Sequence, residues 1–216
     1  FGSNGLLVVT EGTYSFGPKI AVSGDRVYVA STSTVSNGSS VFDSFIELVA
    51  VQSDGVLDSN FGIDGRIKIS LGSALNTEWE SAFGLFEARN GGVYVYGFAD
   101  TYSGSNPGGL SQDGYVYDLF ITKILDNGRL DTAFGSNGYL LLDTGLGYEY
   151  AQALIETADS DLLVLASGNA DWWGENSHFF AQVFEVNGTN NSPTGSVSIS
   201  GTAKQGIELT AITSNL

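Results

Sequence analysis

The chain has 216 residues, 42% hydrophobic and 15% charged, and its 8 basic against 24 acidic side chains leave a formal charge of −16. That excess of carboxylates repels polyanions such as nucleic acid or an anionic membrane over most of the surface, which excludes a nucleic-acid partner. With no Cys there is no disulfide framework, thiolate metal site or cysteine nucleophile, and no apolar run approaches the ~18 residues of a spanning helix.

With 29 Gly, only 3 Pro and 12% aromatics, the composition favours short strands joined by tight turns. The chain opens on Phe1-Gly-Ser-Asn-Gly5, a pentapeptide repeated letter for letter at Phe134–Gly138, with Phe61-Gly-Ile-Asp-Gly65 between them. These Phe-Gly pairs are 60 and 73 residues apart and divide the chain into units 1–60, 61–133 and 134–190, a spacing that signals a repeat architecture. Four strands are predicted in each unit. In the first they are Leu6–Val9, Lys19–Val22, Arg26–Ser31 and Ser44–Val51; in the second, Arg66–Ser70, Ser81–Ala88, Gly92–Phe98 and Tyr117–Leu125. The third has Tyr139–Asp143, Ala151–Thr157, Asp161–Ser167 and Phe179–Val186.

The third strand of a unit is apolar on both faces, as in Val93-Tyr94-Val95-Tyr96 and Leu162-Leu163-Val164-Leu165. Such a strand must be covered from both sides, and four-stranded antiparallel blades packed face to face around an axis meet that demand. The Asx-Gly pairs at 54, 90, 127 and 187, set between apolar runs, are hairpin signals. The fold class expected is therefore all-β, a propeller-like repeat of four-stranded antiparallel blades, with three units belonging to a larger ring. After Asn187-Gly188 the repeat stops. Residues 191–216 are expected to be a linker followed by the first strands of a truncated β-sandwich, and the sequence reads as a piece of a longer chain.

The pattern Asx-Gly-x-Leu-Asp-x-x-Phe-Gly-x-x-Gly, at 54–65 and 127–138 with a partial copy at 1–5, resembles the delta-60 repeat family of bacterial proteins. The likeness spans about 190 residues. It implies propeller-like domains in large secreted or surface proteins and no general catalytic activity. The tail carries Gly195, Val197, Ile199, Gly201, Thr202, Ala203, Gly206, Leu209 and Thr210. It is similar to the opening of an immunoglobulin-like repeat of bacterial adhesins, without the acidic segment that normally follows. Together these imply a secreted or cell-surface bacterial protein.

Asp58 and Asp131 stand three residues before Phe-Gly, where an Asx side chain accepts hydrogen bonds from the following backbone N–H groups. Asp43 and Asp118 precede a Phe at the start of the fourth strand, and His178 takes that place in the third unit. Capping is the expected role of all five. The four aspartates are also the candidate ligands for Ca2+, the one cofactor the acidity suggests, although none is required and the spacing lacks the dense alternation of an EF-hand loop. Two segments exceed what a blade needs. The first is Asp100–Asp118 with Tyr102 and Tyr115; the second is Gly168–Phe180 with Trp172 and Trp173 beside Asp171, Glu175 and Asn176. Flat aromatics flanked by carboxylates and amides hold sugar rings. The leading expectation is thus a non-catalytic spacer or ligand-presenting module whose partners are glycans or another surface protein. The alternatives are a carbohydrate-binding module using Trp172 and Trp173, and a polysaccharide-cleaving enzyme drawing on Glu78, Glu80, Glu149, Asp171 and Glu175.

Overall fold

The computed structural model describes residues 6, 14–36, 42–71, 79–102, 115–143, 148–158, 160–169, 177–184, 196–200 and 210–214. Joined by turns, their regular elements are all strands: β1 (Tyr14–Ser23), β2 (Arg26–Ser36), β3 (Phe42–Gln52), β4 (Arg66–Ile69), β5 (Glu80–Glu87), β6 (Val93–Tyr102) and β7 (Tyr115–Ile124). There follow β8 (Tyr139–Leu142), β9 (Tyr148–Glu156), β10 (Leu162–Asn169), β11 (Ser177–Phe184), β12 (Ser196–Ser200) and β13 (Thr210–Ser214). Each predicted strand from Lys19 to Val186 coincides with one of β1 to β11; of Leu6–Val9 only Leu6 lies among the described residues. The tail pair, β12 and β13, is an antiparallel hairpin in register from Ser196 opposite Ser214 to Ser200 opposite Thr210.

The first sheet has the order β1-β2-β3-β4. The second runs β5-β6-β7-β8 and the third β9-β10-β11, all antiparallel. A single parallel bridge, Tyr117 opposite Tyr148, joins β7 to β9 and merges the last two sheets along one edge. β4 and β8 are the strands that directly follow Phe61-Gly62 and Phe134-Gly135, yet each completes the sheet of the preceding unit. The hydrogen-bonded sheets are thus displaced by one strand from units that begin at Phe-Gly. The physical reason lies in the connector: it curls back against the strand it leaves, through Asp58 N–H to the Ala50 carbonyl at 2.9 Å and Ala50 N–H to the Gly65 carbonyl at 2.9 Å. The crossing to the next sheet comes only after Leu71.

The motif is backbone chemistry. Its second, fourth and fifth residues are left-handed, with φ of 57°, 51° and 83° at Gly62, Asp64 and Gly65, and 53°, 54° and 96° at Gly135, Asn137 and Gly138. Gly and Asx tolerate that region, which explains why those two types alone fill the three places. The Phe at the head of the motif fills the space between sheets. Phe61 belongs to the core that Tyr28, Ile46 and Leu48 of the first sheet form with Val93, Val95 and Phe120 of the second. Phe134 belongs to the next core, where Tyr94, Leu119 and Ile121 of the second sheet meet Leu162 and Val164 of the third. The second sheet is therefore apolar on both faces because it has a neighbour on each.

Candidate functional site

The strand ends that flank residues 103–114 and 170–176 lie at one end of the stack. Tyr102 and Tyr115 are the last paired residues of β6 and β7, Asn169 and Ser177 those of β10 and β11, and Asn169 also lies opposite Tyr148. At that end β7 changes partner: Leu119 is paired with Leu142 of β8, while Tyr117 bridges to Tyr148 of β9. Asp118 stands at the changeover, Asp143 directly follows β8 and Glu149 is the second residue of β9. Their carboxylate oxygens lie within 4.8 Å of one another, and Asp118 and Glu149 are buried, at 3% and 0% exposure, with Asp143 exposed.

That separation matters because oxygens sharing one calcium ion at about 2.4 Å can be no more than about 4.8 Å apart. Carboxylate oxygens grouped this closely offer a cation several ligands at once. The other inter-sheet junction serves as an internal control. Glu80, at the place in the first-to-second junction that Glu149 holds in the second-to-third, accepts from Leu71 N–H at 3.1 Å, and its own N–H donates to Ser44 Oγ at 2.6 Å. Strand register, with Arg66 opposite Val49 and Tyr139 opposite Thr122, puts Phe45 and Ser70 in the places of Asp118 and Asp143, so Asp43 is not the counterpart of Asp118 that the shared spacing to a Phe suggested. The glutamate is common to both junctions and the acidic trio belongs to one.

An aromatic cluster forms from the strand neighbours of Asp118 and Glu149, whose side chains alternate to the other face of the strands. Tyr117 meets Phe98 at 4.5 Å between centroids and Tyr148 at 5.2 Å, and Phe83 stacks on Tyr150 at 5.7 Å. Burial, with the neighbouring Tyr117 and Tyr148, pushes the Tyr150 hydroxyl up to about 12, and burial followed by Asp100 raises that of Tyr117. At the opposite end of the stack a cleft of about 680 Å³ opens between the two sheets' turns, lined by residues including Ile63, Arg66, Asn127 and Arg129.

The remaining sequence candidates are dispersed. Asp58 pairs with Arg26 at 2.5 Å and accepts from Asn60 N–H at 3.0 Å; Asp131 pairs with Lys123 at 3.2 Å and accepts from Ala133 N–H at 3.2 Å. Asp43 is opposite Val35 on β2 and β3, and His178 opposite Gly168 on β10 and β11. Trp172, Trp173, Asp171, Glu175, Asn176 and Glu78 lie outside the described residues. Glu80 and Glu149 sit in different junctions. Sequence reasoning named Asp118 as a candidate ligand and Glu149 only as an available acid, and it passed over Asp143; the Ser70-to-Asp143 and Phe45-to-Asp118 changes between aligned units were the signal available.

Fold and site together define an all-β repeat of antiparallel sheets with a carboxylate cluster at one junction, and no helix among the described residues is long and apolar enough to cross a membrane. Compared with known protein families, curated proteins and solved structures, the chain matches none.

Proposed function

We propose that this chain is a non-catalytic scaffold module of a secreted, adhesin-like bacterial protein, its sheets acting as blades of a propeller-like ring that presents one end to a ligand. One observation carries the reading: the same Phe-Gly connector places Phe61 and Phe134 in successive inter-sheet cores, so the repeat is used to stack sheets. A repeat spent on stacking supplies a platform, and the strand ends at the carboxylate end flank the two sequence segments longer than a blade needs, the second of which contains Trp172 and Trp173. Glycans or a surface protein are the ligands this end suits. A glycan array probed with the wild type, Trp172→Ala and Trp173→Ala tests presentation, with signal expected in the wild type and lost in the variants. Reducing-end release from polysaccharides that disappears in Glu149→Gln would instead establish an enzyme.

Calcium is part of the same reading, with Asp118, one of the four aspartates expected from sequence, joined by Asp143 and Glu149 as its ligands in place of Asp43, Asp58 and Asp131. The ion would clamp β7, β8 and β9 where β7 changes partner. Thermal melts in millimolar Ca2+ and in chelator should separate by several degrees for the wild type and coincide for Asp143→Asn, whose exposed carboxylate is removed without disturbing the core. Coincident wild-type melts would remove calcium from the proposal and leave the scaffold reading standing.

A further inference from the structure

Both inter-sheet interfaces join faces of the same two kinds. The forward face of the first sheet, with Tyr28, Ile46 and Leu48, packs on the rear face of the second, with Val93, Val95 and Phe120. The forward face of the second, with Tyr94, Leu119 and Ile121, packs on the rear face of the third, with Leu162, Val164 and Ala166. Strand alternation then determines what the two end faces carry. The pairings Ile20 with Val29, Val22 with Val27, and Val49 with Val29 put an aliphatic layer on the rear of the first sheet. Leu163 with Ile155 and with Val183, and Leu165 with Ala153 and Ala181, do the same on the front of the third.

The outer parts of these layers are open to solvent, whereas Val49 is buried at 1% exposure and Val27, Val29 and Leu163 are half-buried. Ile20 and Val22 are 68% and 59% exposed at the rear, and Ile155, Leu165 and Val183 are 54%, 44% and 39% exposed at the front. Charge is neutralised locally on the rear face, where Arg66 binds Glu47 at 3.0 Å and the Lys68 ammonium lies 3.9 Å from the centre of the Phe45 ring. Contiguous aliphatic faces on a chain of charge −16 mark interaction surfaces. Each end face is also the repeat-equivalent of a face that is covered inside the stack: Val27 and Val29 correspond to Val93 and Val95, and Leu163 and Leu165 to Tyr94 and Tyr96. The chain therefore carries a forward face and a rear face of the kinds already seen to fit together twice.

We propose that the occupant is a second copy of this chain, the front of its third sheet seated on the rear of the first sheet of the next. The contact is head-to-tail, so it joins unlike surfaces and extends into a closed ring or a filament according to the rotation between copies. It rests on the observed sheet packing alone and holds whether or not the module binds calcium or glycan.

The test uses the full chain and two lysine variants at exposed positions, Ile20→Lys on the rear face and Leu165→Lys on the front, with Ser59→Lys as a polar-surface control. Far-ultraviolet circular dichroism establishes that all fold, and sedimentation velocity with light scattering reads mass across concentrations up to about 100 µM. The wild type and Ser59→Lys should associate reversibly, and each face variant alone should associate at least about tenfold more weakly. An equimolar mixture of the two face variants retains one intact front and one intact rear, so it should form a terminating heterodimer that neither forms alone. A monomeric wild type overturns the proposal and assigns the faces to other sheets or partners. It is equally overturned if either lysine variant associates like the wild type, or if the mixture forms no heterodimer, which would mean like faces pair with like.

Discussion

Asp58 is held from two directions at once. Its Oδ1 accepts the Asn60 N–H and its Oδ2 meets the Arg26 guanidinium, with only 2% of the side chain exposed. Burial by itself would raise the carboxyl, but the Asn60 hydrogen bond and the Arg26 charge outweigh it and hold the group below its ordinary value. A depressed carboxyl contributes stability above the unfolded value, about 3.9, and that contribution is lost as pH falls through the lower folded value. Asp58→Asn should therefore cost on the order of 2 kcal/mol at pH 7, and the gap between variant and wild type should close below about pH 4. Urea titrations at pH 7 and pH 3 check this; an equal gap at both would mean the ion pair is irrelevant. Asp131→Asn, whose carboxylate is 20% exposed in its pair with Lys123, should cost less at pH 7. The turn role of both aspartates was legible, because an Asx side chain two residues before an N–H is a local geometry. Arg26 was not, since it reaches Asp58 only through the register of β2 against β3.

At the scale of elements, the connector does more than reverse the chain. Gly62 N–H donates to the Asn127 carbonyl at 3.0 Å, tying the first sheet's Phe-Gly turn to the second sheet's Asn-Gly turn. A Cβ on Gly128 would lie 2.4 Å from Gly62 N and 2.9 Å from Gly62 Cα, at a φ of +78°. The glycine that makes the hairpin also lets two backbones touch. Gly128→Ala thus meets both a steric and a conformational obstacle and should lose about 2–3 kcal/mol. Phe134→Ala opens a hole between the second and third sheets and should lose about 3–5 kcal/mol. Midpoints of chemical unfolding measure both; a loss below about 1 kcal/mol for Phe134→Ala would mean the ring does not hold the sheets together. Strand positions were legible because β-branched and aromatic runs are bounded by Asx-Gly. The one-strand displacement of sheets against repeats was not, because the return of β4 onto β3 is a long-range pairing that the Phe-Gly signal does not encode.

At the scale of the molecule, the carboxylate trio shows what escapes a linear reading. Asp118, Asp143 and Glu149 come from β7, the end of β8 and β9, and meet only because β7 exchanges one partner for the other. No spacing rule brings them together. The same stacking makes stability graded along the chain. β6 and β7 contribute side chains to both cores, whereas β1 and β11 are the edge strands of the first and third sheets. In a stack whose stability is a sum of sheets and neighbour interfaces, the middle sheet gains from two interfaces and each end sheet from one. Opening an end sheet breaks one interface, while opening the middle breaks both, so native-state hydrogen exchange should report a hierarchy. The amides of Val95, Tyr96, Phe120 and Ile121 should exchange last, near the global unfolding limit, and those paired between β1 and β2 or between β10 and β11 at least about tenfold sooner. Under conditions where the chain self-associates, the end sheets each gain an interface and that difference should shrink. Uniform protection in the dilute monomer would show that the three sheets unfold as one unit and that the interfaces outweigh the sheets they join.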